Sequence, residues 1–313
     1  MAGLQPGHAR HQRMVVGDGA PSHQGRDHRD AGKLGELDQQ RGGVGVEVLS
    51  QISEVYEVVF ERWTERFCRN FWVFRVWYRF RARVQAGRTM AIEFKGSHFE
   101  RDVILWGIRW YVAYPPSYRQ IEEMMGERGV EVDHSTLHRW VLKYVPLLEG
   151  AFLARKRPVG GSWRMDETYV RIKGVWKYLY RAVDKAGATV DFLLTARRDR
   201  KAALRFLRKA AGRHGVPQKV TIDKSGANIA AIESYNTEHD ADIEIRQVKY
   251  LDNIVEQDHR AIKRTTRPML GFKSFWSAAI TIAGIEIMHM IHKGQLHSAG
   301  KLRPAQQCYS LAG

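Results

Sequence analysis

SWRMDETYVRI (162–172) alternates polar and apolar residues in the manner of a strand with one buried face. Lys173 and Gly174 then provide a turn, and VWKYLYRAV (175–183) reads as a second strand, rich in aromatic and β-branched residues. DKAG (184–187) turns the chain again into ATVDFLLT (188–195), a third strand. Beyond it the period changes. RKAALRFLRKAAGRHG (200–215) places Ala203, Phe206, Leu207 and Ala210 on one helical side. QKVTID (218–223) is a short strand, NIAAIESY (228–235) a helix, IEIRQV (243–248) a fifth strand and NIVEQDHRAIKR (253–264) a helix. Three antiparallel strands followed by alternating helices and strands predict a mixed α/β sheet with helices on its faces.

That order, β-β-β-α-β-α-β-α, is the order of ribonuclease-H-like folds, and it sets an expected catalytic domain at 162–296 with a C-terminal tail at 297–313. Upstream, RDVILWGIRWYVA (101–113) has apolar residues at helical spacing and ends at Pro115 and Pro116. Ser117 and Gln120 have capping-box spacing at the start of SYRQIEEMM (117–125). After a glycine-containing turn, STLHRWVLKY (135–144) aligns Leu137, Trp140, Val141 and Tyr144 in one stripe. Ser135 and Arg139 point away from that stripe and Lys143 flanks it. Two helices around a turn, the second presenting basic residues, predict a small all-α helix-turn-helix domain over 90–150. An ordinary three-helix subdomain has the same pattern. A basic linker, 151–161, would join it to the sheet. Residues 1–89 lack steady apolar periodicity and contain a single lysine, Lys33, beside thirteen arginines. They are expected to form a poorly structured extension, disordered or partly helical.

The net charge of +16 and pI near 9.9 call for a polyanionic partner, and double-stranded DNA is the commonest. An unbroken membrane-spanning apolar stretch is absent from the sequence; the most apolar run, 278–285, is short. Two cysteines, Cys68 and Cys308, cannot build a disulfide framework or a multi-cysteine zinc site. A cytoplasmic protein, associated with the nucleoid when bound to DNA, is the expectation.

Cutting and joining DNA strands calls for convergent carboxylates that hold divalent cations. Asp166 lies mid-strand in MDETYV (165–170), where a charge is costly without a partner. Strand alternation puts Asp166 and Glu167 on opposite faces. Asp223 ends the fourth strand, which pairs beside the first in a sheet of this order, so Asp223 should lie near Asp166. Glu256 is in the first turn of the helix at 253–264, with Arg260 and Lys263 following at i+4 and i+7. Each acid alone has an ordinary reading: a strand-edge charge, a turn residue, or a helix-capping partner of Asn253. Asp184, Asp191, Asp240, Asp242 and Asp258 read as solvated. The combination of the three is what points to a site.

These strings also resemble a family. HFERDVILWGIRWY (98–111), VEVDHSTLHRWV (130–141), MDETYVRIKGVWKYLYRAVD (165–184), IDKSGAN (222–228), RQVKYLDNIVEQDHRAIKR (246–264) and LGFKSF (270–275) are similar to the small bacterial DDE transposases of insertion-sequence family six. The resemblance implies that Asp166, Asp223 and Glu256 are the catalytic triad and that Lys263 is the basic residue after the glutamate. It also implies a helix-turn-helix for terminal inverted repeats and replicative strand transfer producing cointegrates. On that reading, hydrolysis at the element end frees a 3′ hydroxyl that attacks a target phosphate in line. Two magnesium ions, for which manganese substitutes, would sit on the triad. Lys263 and Arg260 would contact DNA phosphate, the helix at 135–144 would read the repeat, and the enzyme would act as a homo-oligomer on DNA. Asp223 and Glu256 stand closer in sequence than is usual for the family, a shortening expected around 237–242. The alternatives are a non-catalytic DNA-binding regulator that keeps the helix-turn-helix, and a nuclease that cleaves without joining.

Overall fold

In the computed structural model, which describes residues 91–248, 253–298 and 300–313, three helices precede the sheet. They are α1 (Arg101–Ala113), α2 (Tyr118–Gly126) and α3 (His134–Ala154). The sheet begins with β1 (Ser162–Ile172), β2 (Val175–Asp184) and β3 (Thr189–Thr195). Helix α4 (Arg200–His214), strand β4 (Lys219–Ile222), helix α5 (Gly226–His239), strand β5 (Glu244–Gln247) and helix α6 (Asn253–Thr266) follow in alternation. The chain closes with α7 (Phe275–His292) and α8 (Pro304–Tyr309). The extension expected at 1–89 lies outside the described residues.

The five strands run in the order β3-β2-β1-β4-β5. β1, β2 and β3 are antiparallel, and β4 joins β1 in parallel, with Ser162, Trp163 and Arg164 facing Lys219, Val220 and Thr221. β5 continues in parallel beside β4. This is the ribonuclease-H-like arrangement. Alternation along the strands serves two cores. Trp163, Met165 and Tyr180 pack with Phe206 and Leu207 of α4 and Ala231 and Ile232 of α5. Val170, Ile172, Leu179 and Leu194 point the other way, into a larger cluster with α1, α3 and α7.

Local signals explain the helix ends. Tyr114 is extended, with φ −126 and ψ 170 in degrees. The residue before a proline is pushed to that region, so α1 stops there. The capping box of Ser117 and Gln120 forms in both directions. The Gln120 N–H donates to Ser117 Oγ (3.3 Å) and the Ser117 N–H to Gln120 Oε1 (2.7 Å). Asp133 caps α3 by accepting from the N–H groups of Ser135 and Thr136.

Three features differ from the sequence expectation. α3 runs to Ala154, past the expected end of the helical domain, because Val145, Leu147, Leu148, Ala151 and Phe152 are buried on it. The helical segment therefore shares a core with the sheet. The chain that follows pairs with the end of α7, the Arg157 N–H donating to the Gln295 carbonyl (2.8 Å). Second, the short apolar run 278–285 is the centre of an 18-residue helix, α7. By length and composition α7 is apolar enough to cross a membrane, but it is the central core helix, packed against α1, α3, α6 and α8. Burial on nearly every side removes the amphipathic period by which a helix is read. Third, the expected tail carries α8 and buries Cys308, Leu311 and Ala312, and the Ile92 N–H donates to the Ala312 carbonyl (3.2 Å). Burial pushes the Cys308 thiol up to about 12, so it is a core thiol.

Gly284 sets the close crossing of α7 on its neighbours. A Cβ there would stand 2.7 Å from Val112 Cγ1 and 3.3 Å from Val145 Cγ1. Gly284→Val should destabilise the protein by about 2 kcal/mol, because overpacking outweighs the gain in helix propensity. A lowered thermal midpoint checks this; an unchanged one would show that α1 and α3 give way.

Candidate active site

Asp166 sits in the middle of β1, on the face that looks toward α6 and α7, directly across from Arg181 of β2. Its side chain is 26% exposed, and His259 Nδ1 of α6 lies 3.5 Å from Asp166 Oδ2. Burial pushes the Asp166 carboxyl up to about 6, and the negative charges of Glu167 and Asp223 add to the shift. Asp223 follows the last residue of β4, which the parallel pairing places beside β1. Its Oδ1 accepts from the Ser225 N–H (3.0 Å), a turn that leads directly into α5. Its Oδ2 accepts from Arg198 Nη2 (3.3 Å), in the loop after β3.

Glu167 lies on the opposite face, as alternation requires. It is buried, and there it pairs with Arg198 Nε and accepts from Asn228 Nδ2 of α5 (3.2 Å). Arg198 thus spans Glu167 and Asp223 and lowers the Asp166 pKa from a distance. Its guanidinium is the local counter-charge to three acids.

Glu256 is in the first turn of α6, which packs against β1. The buried face of α6 is Val255, Asp258, His259 and Ile262. Glu256 flanks that face; its side chain is 60% exposed and accepts from Arg260 Nη2 (2.8 Å). Arg260 holds the Glu256 carboxyl below its ordinary value. The structure therefore brings Asp166 and Asp223 together and turns Glu256 outward. Among the described residues no three His, Cys, Asp or Glu side chains are gathered closely enough to hold a metal ion.

A family profile described as a DDE domain matches residues 160–295. The transposase of the insertion sequence-like element IS431mec of Staphylococcus aureus is 39% identical over 205 residues, which cover 64% of this chain and 88% of that one. The transposase of IS257 in transposon Tn4003 of the same organism is 38% identical over the same span. The chain belongs to the DDE transposases of insertion-sequence family six. Among solved structures, the HTLV-2 integrase catalytic core in complex with magnesium shares 18% identity over 34% of this chain and 69% of that one, at a TM-score of 0.29. The BIV integrase core shares 17% over 41% and 82%, at 0.33. Those superpositions are too loose to bear on the site.

The transposase is thus an enzyme that cleaves and joins DNA strands, and divalent metal use comes with that membership. The residues fit the ion in one respect that the geometry shows. Asp223 raises the charge cost of the partly open Asp166, and a hard dication relieves it. Ser135 and Arg139 are exposed on α3, as the sequence predicts. The Ser135 hydroxyl donates to Asp133, and Arg139 Nη2 donates to Thr136 Oγ1 (2.6 Å). Lys143 is exposed too, its Nζ 4.8 Å from the Tyr144 ring centre. Lys263 is partly buried on α6, near enough to act on both Glu256 and His259.

Sequence reasoning missed a buried charged cluster behind the site. Arg181 donates through Nε to Glu286 Oε1 (2.6 Å) and through Nη2 to Glu286 Oε2 (2.9 Å), and its Nη2 lies 2.6 Å from Asp258 Oδ2. His289 Nε2 donates to Asp258 Oδ1 (2.6 Å), and Lys293 pairs with the same oxygen. Burial alone would raise the Asp258 carboxyl; His289, Arg181 and Lys293 hold it below the usual range. Asp258 therefore departs from its solvated reading. So do Asp191, which Lys209 and Arg213 pair, and Asp184, which accepts from the N–H groups of Gly160, Ala186 and Ala188. Asp240 and Asp242 are exposed as expected. Burial, with Arg181 and Lys263 nearby, lowers the His259 imidazole to about 3, so it faces Asp166 uncharged. One signal was available: a lone arginine in an aromatic strand and a lone glutamate in an apolar helix each need a buried partner.

Proposed function

We propose that Asp166, Asp223 and Glu256 are the acidic triad of 3′-end cleavage and strand transfer at the ends of an insertion sequence. The observation that carries this is the meeting of Asp166 and Asp223 across the parallel β1–β4 pair, with α6 laid against β1 beside them. Glu256 would join them by exchanging Arg260 for the shared cation. Magnesium, as two ions with manganese as a substitute, would be held by the three carboxylates. When bound it supplies charge neutralisation at the phosphate and a lower pKa for the attacking hydroxyl. The protein's part is to fix the carboxylates. Ser225 and Arg198 hold Asp223, and His259 borders Asp166 without adding a charge. Lys263 and Arg260 would meet the DNA phosphate beside the scissile bond. The outcome is a replicative transfer that joins donor and target in a cointegrate, carried out by a homo-oligomer assembled on DNA. A pre-cut element end incubated with target DNA and magnesium tests the reading. Joined product supports it, cleavage alone indicates a nuclease, and binding without either indicates a regulator.

The helices α2 and α3 would form the helix-turn-helix that recognises the terminal inverted repeats, with Ser135, Arg139 and Lys143 toward DNA. Arg139→Ala should weaken end binding by about 1–3 kcal/mol and relax sequence preference if the guanidinium reads a base edge. Lys143→Ala, as a phosphate contact, should weaken all sequences alike and flatten the salt dependence. Titrations of matched and scrambled ends at two salt concentrations separate these. Unchanged affinity in both variants would place the reading helix elsewhere.

A further inference from the structure

The β1–β2 hairpin continues beyond the sheet that supports it. β4 reaches only Arg164 on β1, and β3 reaches only Tyr178 on β2. Past those points the two strands stand as a ribbon, bridged at Ile172 by Phe272. On the face that carries Glu167, the cross-strand partners are Glu167 with Tyr180, Tyr169 with Tyr178 and Arg171 with Trp176. The first pair is buried, and the later ones open to solvent. Tyr169 is 49% and Trp176 58% exposed, with Val175 exposed beside them. The Tyr169 ring lies 5.4 Å from that of Tyr178 and 6.5 Å from that of Trp176, nearly perpendicular to the latter at 81°.

Large exposed rings in a cluster are unusual on a folded surface and mark a contact. The charges around them choose the partner. From Thr168 to Tyr180 there is no Asp or Glu, while Arg171, Lys173 and Lys177 are basic. The ladder starts at Glu167, which neighbours Asp166 on the opposite face of β1 and is tied to Asp223 through Arg198. Tyr169 is two residues beyond Glu167 on that face, about 7 Å along a strand, and near enough to Arg198 to act on its guanidinium. Arg198 in turn holds Asp223. Exposed aromatic faces among cations are the chemistry that holds unpaired bases: the rings stack on the base and the cations meet the backbone, without need for a sequence.

We infer that the ladder of Tyr169 and Trp176 is a stacking platform for unpaired nucleotides of the DNA strand being cut and joined at this site. It rests on the placement of the chemistry at Asp166 and Asp223. The platform would hold the melted end open while the scissile phosphate stays with the carboxylates.

The test uses the full chain without metal, so that it is independent of catalysis. Two end-bearing duplexes are compared, one fully paired and one with three unpaired terminal nucleotides, the latter carrying 2-aminopurine. The wild-type protein should bind the frayed end more tightly and change its fluorescence. Trp176→Ala and Tyr169→Ala should remove that preference, roughly a tenfold loss for the frayed end, while binding of the paired duplex changes little. Trp176→Phe should keep most of the preference. Equal losses on both duplexes, or none, would overturn the inference. So would a change in sedimentation of the DNA-free Trp176→Ala protein, which would assign the platform to a second copy of the chain. Both side chains are exposed, so the thermal midpoint should stay in place and report that the variants fold.

Discussion

Asp166→Asn, Asp223→Asn and Glu256→Gln should each reduce strand transfer by about a thousandfold or more, while binding of the element ends persists. Each change keeps the side-chain shape and removes a charge that a dication needs, an interaction worth several kcal/mol in the transition state. Stability should separate the three. The Asp166 carboxyl is pushed up to about 6 in the folded chain, above the ordinary aspartate value. An acid raised on folding stabilises least when it is charged. Its penalty is absent below about pH 4, grows as the pH rises to about 6, and is complete above that. Asp166→Asn removes the charge, so at about pH 8 the inactive variant should be more stable than wild type, by ~2 kcal/mol. Asp223→Asn should lose its charge-assisted contact to Arg198 and gain less. Glu256 is exposed and paired to Arg260, so Glu256→Gln should leave the thermal midpoint almost unchanged. Inactivity joined to unaltered or raised stability is the mark of a residue kept for chemistry. Wild-type turnover by any one variant would remove that residue from the triad.

β1 was legible by its alternation and β2 by its aromatic and β-branched content, since β2 and β3 are buried along most of their length. β1 was readable at both ends, since alternation starts at Ser162 and stops at the turn of Lys173 and Gly174. The Lys173 and Gly174 backbones have positive φ, which suits the tight turn that the glycine signals. The neighbourhood of Asp166 and Asp223 followed from strand order alone. What stayed hidden depends on burial between distant segments. α7 has no polar face to betray its period, and the continuation of α3 past Tyr144 is held by contacts with α7 that no local pattern encodes. Asp191 and Asp258 look like surface acids in sequence because their partners come from other elements, and Asp184 because backbone N–H groups rather than side chains satisfy it. Nor does a sequence show rotamers. The proximity of Glu256 to Arg260 was visible at i+4, but the outward turn of the pair was not.

Arg181→Met should destabilise the protein by about 3–5 kcal/mol. Arg181 and Glu286 are both fully buried, and Asp258 is nearly so. Taking the guanidinium away leaves Glu286 facing an apolar core without its paired cation, while Asp258 keeps His289 and Lys293. For a domain of this size that loss lowers the thermal midpoint by roughly 10 °C. A buried pair need not stabilise relative to apolar residues of like volume, however. Arg181→Met combined with Glu286→Leu should therefore recover most of the lost stability. Strand transfer should not recover with it. Arg181 ties β2, directly across from Asp166, to Asp258 on α6, two residues from Glu256. Without that link α6 keeps its apolar contacts through Val255 and Ile262 but loses the polar contact that fixes its register on the sheet. Melting curves and strand-transfer rates on the single and double variants distinguish the two roles. A double variant restored in both would reduce the cluster to a packing element, whereas one restored only in stability would show that the buried charges set the helix that carries the glutamate.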